Sequence, residues 1–338
     1  MRKLIITFSI LLILSNNLLA QRVTRALIIP IPDTLIHNSL YNKITCIDSR
    51  SDTTNFGIVH WGFSNRKARV VANTPLNIQL ANLLKKVNDT AAKDGKLLLN
   101  IRYYGITEAP VLFTEHGYCM LRAELYAQKE DRYKVIELLD TIWENSAIDV
   151  TKDLLKNSGD LLTHFIIDNL SYEPTDTNSY SLQEVLNVDS IEKSKIPAYT
   201  TTKYKDGLYL SYESFKMQQP DNQIYYSKRK DGSYKILNKI NADGTQSRIK
   251  GSQSYAMIIN GELFIGTDYG FDPMSKVNNE FVFTGRVKTS INSGQAFMAS
   301  YLFGIIGGLI AVEAGSNKNY LIKIDHKTGG FMNIKEIK

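Results

Sequence analysis

The sequence predicts an α+β protein whose N-terminal half is an antiparallel sheet with two helices on one face and whose C-terminal half is a mostly-β meander. Two amphipathic helical patterns, beginning near Thr74 and Thr151, alternate with strand-like runs in the first 170 residues. After residue 200, Asp-Gly and Asn-Gly pairs divide the chain into short strand-like runs. The chain has 338 residues, 43% of them hydrophobic and 22% charged, and two cysteines. These values fit two globular domains and exclude collagen-like, disordered and disulfide-built small proteins.

The first twenty residues have the pattern of a secretory signal peptide. Arg2 and Lys3 precede an apolar run over 4–14, and a polar patch then leads to Ala20, after which we expect cleavage. The alternative is an uncleaved membrane anchor, although the run is shorter than the ~20 residues that a span needs. Removal of residues 1–20 lowers the formal charge from +6 to 38 − 34 = +4, spread along the chain. We therefore expect an exported protein, periplasmic, associated with the outer membrane or extracellular, and no nucleic-acid partner.

The first elements after the leader are a strand over 44–48 and a hairpin with strands over 56–63 and 68–72. Thr74 is the expected N-cap of the helix that follows, with Pro75 at its first position. Apolar residues recur there at helical spacing and predict one buried face. They are Leu76, Leu80, Leu83, Leu84 and Val87.

The remaining elements of the first half are longer. A strand is predicted over 97–106, followed by a hairpin with strands over 118–128 and 133–143 and by a helix over 151–170. The order of strand, hairpin, helix, strands and helix predicts an antiparallel sheet with both helices on one face. We assign these elements to an α+β domain over residues 21–170.

Part of this domain resembles a known class of envelope proteins. The run over 46–52 (Cys-Ile-Asp-Ser-Arg-Ser-Asp), then Phe56-Gly57, then Thr74-Pro75-Leu76 resembles the periplasmic auxiliary lipoproteins of transporters. It is similar also to other small envelope α/β domains in which an Asp-x-Arg strand end precedes a helix. The resemblance covers roughly residues 40–170. It implies an envelope domain without catalytic residues, but this chain lacks the lipid-bearing cysteine of those lipoproteins.

Two groups of residues in this half are candidate sites. Asp48, Arg50 and Asp52 form either a functional polar cluster or a strand end capped by local turn bonds and a surface ion pair, and we favour the second. Cys46 and Cys119 lie in apolar strand-like contexts, in a compartment that permits disulfides. They are either two buried free thiols or one cross-strand disulfide.

The composition shifts to Ser, Thr, Asp and Asn over residues 171–200. We interpret this stretch as a linker with one helical turn over 182–186, followed by a β-rich domain over 201–338. Gly207-Leu208-Tyr209, with Phe215 and Pro220, resembles a segment of uncharacterised secreted bacterial two-domain proteins that opens a β-rich domain.

The β-rich domain is predicted from its turns, because Asp-Gly and Asn-Gly pairs adopt the positive φ angles of tight hairpins. Those pairs are Asp206-Gly207, Asp231-Gly232, Asp243-Gly244 and Asn260-Gly261. Strand-like runs lie over 208–215, 223–227, 234–240, 255–259, 262–267, 280–287, 319–325 and 331–337. The pattern predicts a meander that forms a sandwich or an open barrel.

A Gly-rich apolar segment over 296–312 interrupts this pattern. Ala296, Ser300, Gly304 and Gly308 recur every four residues, so a helix here would present a stripe of small side chains for close packing or interaction. The segment is either buried core or a membrane contact or span, and we favour buried core, with weak membrane association through it as a possible role.

The sequence offers no recognisable chemistry. Its five histidines are scattered, and it has neither a Gly-x-Ser-x-Gly elbow nor a phosphate-binding glycine loop. We therefore predict no catalytic, cofactor-binding or metal-binding residues and no cofactor. The leading hypothesis is an exported cell-envelope protein with a non-catalytic accessory or interaction role, whose partner is another envelope protein or the membrane surface. The alternatives are a secreted hydrolase with a site between the two domains and a glycan- or small-ligand-binding protein.

Overall fold

A computed structural model describes residues 23–62, 66–111, 114–175, 177–228, 230, 234–286 and 319–337. The predicted signal peptide over 1–20, the Asp231-Gly232 turn and the segment over 296–312 lie outside these residues. In the first half, the described elements are β1 (Thr24–Ala26), β2 (Tyr41–Asp48), β3 (Gly57–Trp61), β4 (Arg66–Val71), α1 (Leu76–Val87), β5 (Gly95–Val111), β6 (Thr114–Lys129), β7 (Arg132–Ala147) and α2 (Thr151–Ile167).

These seven strands form one sheet built around the long antiparallel strands β5, β6 and β7. β2 and β3 both run parallel to β5, with Ile44 opposite Leu97 and Gly57 opposite Ile106. β4 pairs with β3 in the antiparallel direction, and β1 is parallel to β4. The sheet is thus mixed rather than purely antiparallel. The connection from β3 to its parallel neighbour β5 runs through β4 and helix α1, and parallel neighbours need such a long crossover connection.

Helices α1 and α2 pack on one face of this sheet, as predicted. The five apolar residues of the α1 pattern are all buried, and they share a core with alternate residues of the long strands, among them Leu97 and Leu99. Residues with the opposite orientation, Leu98 and Tyr126, belong to a separate cluster with Val185. Since side chains alternate along a strand, this second cluster lies on the other face of the sheet. Pro75 occupies the N-cap of α1 rather than its first turn.

The stretch predicted as a linker packs against that second face. It contains the short helices α3 (Leu182–Leu186), α4 (Val188–Ser194) and α5 (Pro197–Thr200). α3 has the bounds of the predicted helical turn and begins with a capping box between Ser181 and Glu184. Val185 is 1% exposed and contacts the sheet, so these residues form a packed connection between the two halves.

The second half is an antiparallel meander in the described residues. Its elements are β8 (Gly207–Tyr209), α6 (Tyr212–Lys216), β9 (Ile224–Lys228), β10 (Tyr234–Ile240), β11 (Gln246–Arg248), a 3₁₀ turn (Gly251–Gln253), β12 (Ala256–Ile259), β13 (Glu262–Thr267), β14 (Gly270–Val277), β15 (Glu280–Arg286), β16 (Asn319–Ile324) and β17 (Phe331–Ile337). Strands β12 to β17 follow one another in space as in sequence, β8 flanks β12, and β8 and β17 are the two edges. The α+β class is therefore confirmed.

The meander is one layer of a sandwich. The three-stranded sheet of β9, β10 and β11 covers one face, where Tyr226 and Tyr234 pack with Met257 and Ile259. Helices α5 and α6 cover the other face, where Phe215 is fully buried. Of the two architectures expected for this half, the described residues form the sandwich.

Turn chemistry explains most of these strand bounds. Asn260 and Gly261 have φ angles of 50° and 78° and connect β12 to β13, as predicted. Asn278 and Asn279, with φ angles of 51° and 60°, form a similar turn that was not predicted from the sequence. The predicted strand over 208–215 is instead β8 followed by α6, because Ser211 caps the helix. No helix in the described part of the chain is long and apolar enough to cross a membrane.

A substitution of Gly159 tests how closely α2 packs against the chain at Ile28, which follows β1. A helical Gly→Ala change ordinarily stabilises by ~1 kcal/mol. A Cβ at residue 159 would, however, overlap the backbone carbonyl of Ile28. We expect Gly159→Ala to lower the free energy of unfolding by about 1–3 kcal/mol, measured by urea denaturation.

Lys152→Ala, at an exposed position of the same helix, is the control and should change stability by at most about 0.5 kcal/mol. A Gly159→Ala protein more stable than the wild type would contradict this packing.

Candidate functional site

A group of paired charges, most of them buried, lies where the two halves of the chain meet. We call it the junction cluster. It combines residues of β5 and β6 with residues of α4 and of the turn after β16. Its members are Arg102, Arg122, Glu124, Asp189, Glu192, Asp325 and His326.

Arg102 is the centre of one part of the cluster, and its side chain is 4% exposed. Its Nη1 donates to Glu124 Oε1 at 2.7 Å and to Glu192 Oε1 at 3.0 Å. Its Nη2 donates to Glu192 Oε2 at 2.5 Å and also to Asp189. Asp189 and Glu192 are three residues apart on α4, so both carboxylates face the sheet from one side of the helix.

Glu192 connects this part of the cluster to the second sheet. His326 Nε2 lies 2.7 Å from Glu192 Oε2, and Lys327 Nζ lies 3.3 Å from Oε1. Burial alone would raise the pKa of Glu192. The hydrogen bonds from His326 and Arg102 and the charge of Arg102 outweigh it and hold this pKa well below its ordinary value.

Arg122 is the centre of the other part. Its Nη1 and Nη2 donate to the two carboxylate oxygens of Asp325 at 3.0 and 2.9 Å, and both side chains are 7% exposed. Its Nε donates to Asp140 at 2.9 Å, and Thr328 donates to Asp325 at 2.7 Å. Burial would raise the pKa of Asp325, but the hydrogen bonds and charge of Arg122 hold it well below its ordinary value.

The junction cluster includes one arrangement that resembles a metal site. Ligating atoms of Asp189, Glu192 and His326 lie within 4.8 Å of one another. Such a set of donors suits a divalent cation only if they are free to bind it. Here the guanidinium of Arg102 binds both carboxylates, and the imidazole of His326 is bonded to Glu192. A metal ion would have to displace a buried arginine, so the geometry fits an ion-pair network that joins the halves.

The junction cluster was not predicted from the sequence, because its members are far apart in the chain. Arg122 and Asp325 are separated by 203 positions. A local signal did exist, since Arg102, Arg122 and Glu124 interrupt the apolar strands of the first sheet. A charged residue in such a strand needs a partner when it is buried.

The predicted polar cluster at the end of β2 consists of two separate sets of bonds, because Asp48 pairs with Arg50 while Asp52 does not. Arg50 donates to both carboxylate oxygens of Asp48 at 2.8 and 2.7 Å and to the carbonyl of Asn55 at 2.7 Å. Asp52 instead accepts bonds from the backbone and hydroxyl of Thr54. The arrangement is a strand end held by local bonds, but its ion pair is not a surface pair, because the Arg50 side chain is 6% exposed.

The two cysteines are free thiols on opposite sides of β5. Cys46 lies opposite Leu99 on one edge of that strand, and Cys119 lies opposite Ile106 on the other. Of the two interpretations of this pair, the structure has free thiols and not a bridge. Burial raises the pKa of each thiol to about 12, with a further contribution from Asp48 at Cys46. The small-residue stripe of Ala296, Ser300, Gly304 and Gly308 lies outside the described residues.

Comparisons with known proteins leave the family open. No protein-family model matches the sequence, and the search of curated proteins found no match. A crystal structure of a Xanthomonas campestris protein of the family DUF330 aligns with 42% of this chain and 90% of its own, at 8% identity and a TM-score of 0.27. A crystal structure of another uncharacterised protein aligns with 44% of this chain and 97% of its own, at 10% identity and a TM-score of 0.23. Similarities this weak assign neither fold family nor function.

The pairing of Arg122 with Asp325 predicts that a single substitution of Asp325 strongly lowers the stability of the protein. Asp325→Asn keeps the shape of the side chain but leaves the buried guanidinium of Arg122 without its bidentate partner. We expect it to lower the free energy of unfolding at pH 7 by about 3–5 kcal/mol. The double variant Arg122→Met/Asp325→Leu should recover much of this loss, because it removes both charges. A loss below about 1 kcal/mol for Asp325→Asn, the range of exposed pairs, would contradict the buried pairing.

The same variant has a defined pH dependence. Because the pKa of Asp325 is lowered by folding, its contribution is fully present above the unfolded value of about 3.9 and is lost as the pH falls towards the folded pKa. The difference in stability between the wild type and Asp325→Asn should therefore shrink below about pH 4. A difference that stays constant into the acid range would contradict this assignment.

Proposed function

We propose that the protein is exported and serves in the cell envelope as a non-catalytic accessory or interaction protein. The leader over residues 1–20 supports export to the periplasm, the outer membrane or the exterior. The observation that carries the non-catalytic role is the pairing of the junction cluster. Each of its carboxylates has an arginine, lysine or histidine partner within hydrogen-bond distance.

This pairing weighs against the hydrolase alternative. A hydrolase with its site between the halves needs acid and base groups that are free to exchange protons with a substrate. The described groups between the halves are instead bonded to one another, and the depressed pKa values of Glu192 and Asp325 keep these carboxylates charged. Such groups hold an interface together and are poor proton carriers at neutral pH.

The glycan-binding alternative has less support. It requires a row of exposed aromatic rings on one surface. The exposed tyrosines of the described residues are Tyr172 after α2, Tyr225 on β9 and Tyr269 in the turn between β13 and β14, so they are on separate parts of the chain.

The partner that we propose is another envelope protein or the membrane surface. The segment over 296–312, with its stripe of small residues, is the candidate contact, and weak membrane association through it is part of the proposal. Nucleic acid is not a proposed partner, because the charge of about +4 is spread along the chain.

Fractionation of the native host cells tests the proposal. We expect the protein outside the cytoplasm, with an N-terminus at Gln21 in the mass spectrum of the intact chain. A wash with alkaline carbonate should release most of it from membranes, because peripheral contacts are removed by this treatment and spanning segments are not.

A cytoplasmic enzyme and an outer-membrane protein of the same cells are the markers for each fraction. An intact chain beginning at Met1 and found with the cytoplasmic marker would refute export. Hydrolytic turnover by the purified protein that one substitution in the junction cluster abolishes, without unfolding it, would refute the non-catalytic role.

A further inference from the structure

Strand β7 forms one edge of the first sheet. It pairs with β6 from Arg132 to Ala147, and no described strand lies along its other side. With 16 residues it is the longest edge strand in the described part of the chain, where the other edge strands have three to eight. The unpaired backbone groups of a long edge are a template for another strand.

The beginning of this edge is protected, and the remainder is not. Tyr133 exchanges two backbone bonds of 2.8 Å with Tyr180. A bulge follows at Ile136, which has no partner on β6. Both features limit the pairing of an edge with a further strand. Over residues 137–147 the described chain supplies no backbone partner other than β6, and this stretch contains neither proline nor lysine.

The backbone donors of this stretch that point outward have only local acceptors. The N–H of Leu138 donates to Glu137 Oε1 at 2.9 Å, and the N–H of Ser146 donates to Asn145 Oδ1 at 2.8 Å. Backbone groups of alternate residues point to the same side of an antiparallel strand. The N–H and C=O groups of residues 138, 140, 142, 144 and 146 therefore point away from β6, towards the place of an added strand.

The side chains beside this edge are partly apolar. Leu138 is 54% exposed and Ile142 is 39% exposed, and both lie on one face of β7 because side chains alternate along a strand. On the other face, Leu139 and Trp143 pack against the core beneath the helices but are only half-buried. A strand added to β7 would remove more of this apolar surface from water.

The acids of β7 restrict how a second copy of the chain could pair with it. A two-fold axis at Asp140 would place the two Asp140 side chains opposite each other, and an axis at Ile142 would place Asp140 opposite Glu144. Like charges in directly opposite positions are destabilising. An axis at Thr141 avoids both conflicts, because Asp140 then lies opposite Ile142, and Glu144 lies opposite Leu138.

The register with its axis at Thr141 also matches side chains and backbone. Leu139 of each copy lies opposite Trp143 of the other, and the two Thr141 side chains are neighbours. Aromatic pairs with aliphatic residues and pairs of threonines are both favourable between strands. The outward backbone groups of residues 138, 140, 142 and 144 in one copy face the same groups in the other, so they can exchange hydrogen bonds.

We propose that two copies of this chain pair through β7, antiparallel and about a two-fold axis at Thr141. The two seven-stranded sheets then form one continuous sheet. Such a contact uses the same surface of both copies, so it closes as a dimer and leaves no β7 edge free. This interface goes beyond the proposed envelope role and does not depend on it.

The oligomeric state in solution tests the proposal. Sedimentation velocity of the purified protein at micromolar concentration should show a dimer. Ile142→Lys places a charge beside the paired edge and should raise the dimer Kd at least about tenfold. Ile28→Lys is the control, because it makes the same change at an isoleucine that is 63% exposed and distant from β7 in the chain, and it should leave the dimer intact.

Far-ultraviolet circular dichroism should show that both variants keep the fold. A wild-type protein that is monomeric over the whole concentration range would overturn the proposal, and the edge would then suit a basic strand of another protein instead. A dimer that Ile142→Lys leaves unchanged would also overturn it.

Cross-linking tests the register. Leu138→Cys and Glu144→Cys, at exposed positions that lie opposite each other in this register, are expressed together with different affinity tags. A short thiol-specific cross-linker should join one variant to the other. Either variant alone should give no linked dimer, because the two copies of one cysteine lie six positions apart (144 − 138 = 6), about 20 Å along the strand.

The wild type gives the background from Cys46 and Cys119, whose thiols are free. Failure of the coexpressed variants to link, or linkage in one variant expressed alone, would overturn the pairing about Thr141. This result does not depend on whether Ile142→Lys folds.

Discussion

Two arginines buried on one face of a sheet constrain how the halves of this chain pack. Arg102 and Arg122 project from the long strands of the first sheet, with side chains 4% and 7% exposed. A guanidinium removed from water costs several kcal/mol unless it is paired. The acids that pair these residues come mainly from later in the chain, as Glu192 of α4 and Asp325 of the turn after β16 do. The second half must therefore lie where its carboxylates reach these arginines.

Apolar burial and the ion pairs have different roles at this junction. Val185 packs on Leu98 and Tyr126, and contacts of this kind supply favourable free energy without specifying one register. Buried ion pairs add little net stability, because desolvation offsets their attraction. They do penalise every arrangement that leaves one partner unpaired. The bidentate bond between Arg122 and Asp325 thus selects one relative position of the two sheets.

The features that the sequence predicted correctly are those that depend on residues close together in the chain. The turn at Asn260-Gly261 sets the bounds of β12 and β13, because its positive φ angles depend on these two residues alone. The buried face of α1 follows from helical spacing in the same way. The same kind of reasoning misassigned residues 208–215, where the capping Ser211 begins a helix. Local sequence patterns could not predict the direction of the strands or the partners of Arg102 and Arg122, since both depend on residues far apart in the chain.

We expect the junction cluster to make the two halves one cooperative unit. Both tryptophans lie in the first half, so their fluorescence reports its unfolding, whereas far-ultraviolet circular dichroism reports the sheets of both halves. Equilibrium urea denaturation followed by these two signals on the same sample compares them directly. We expect coincident transitions with one midpoint. Two transitions with separate midpoints, in which fluorescence follows only one, would contradict it.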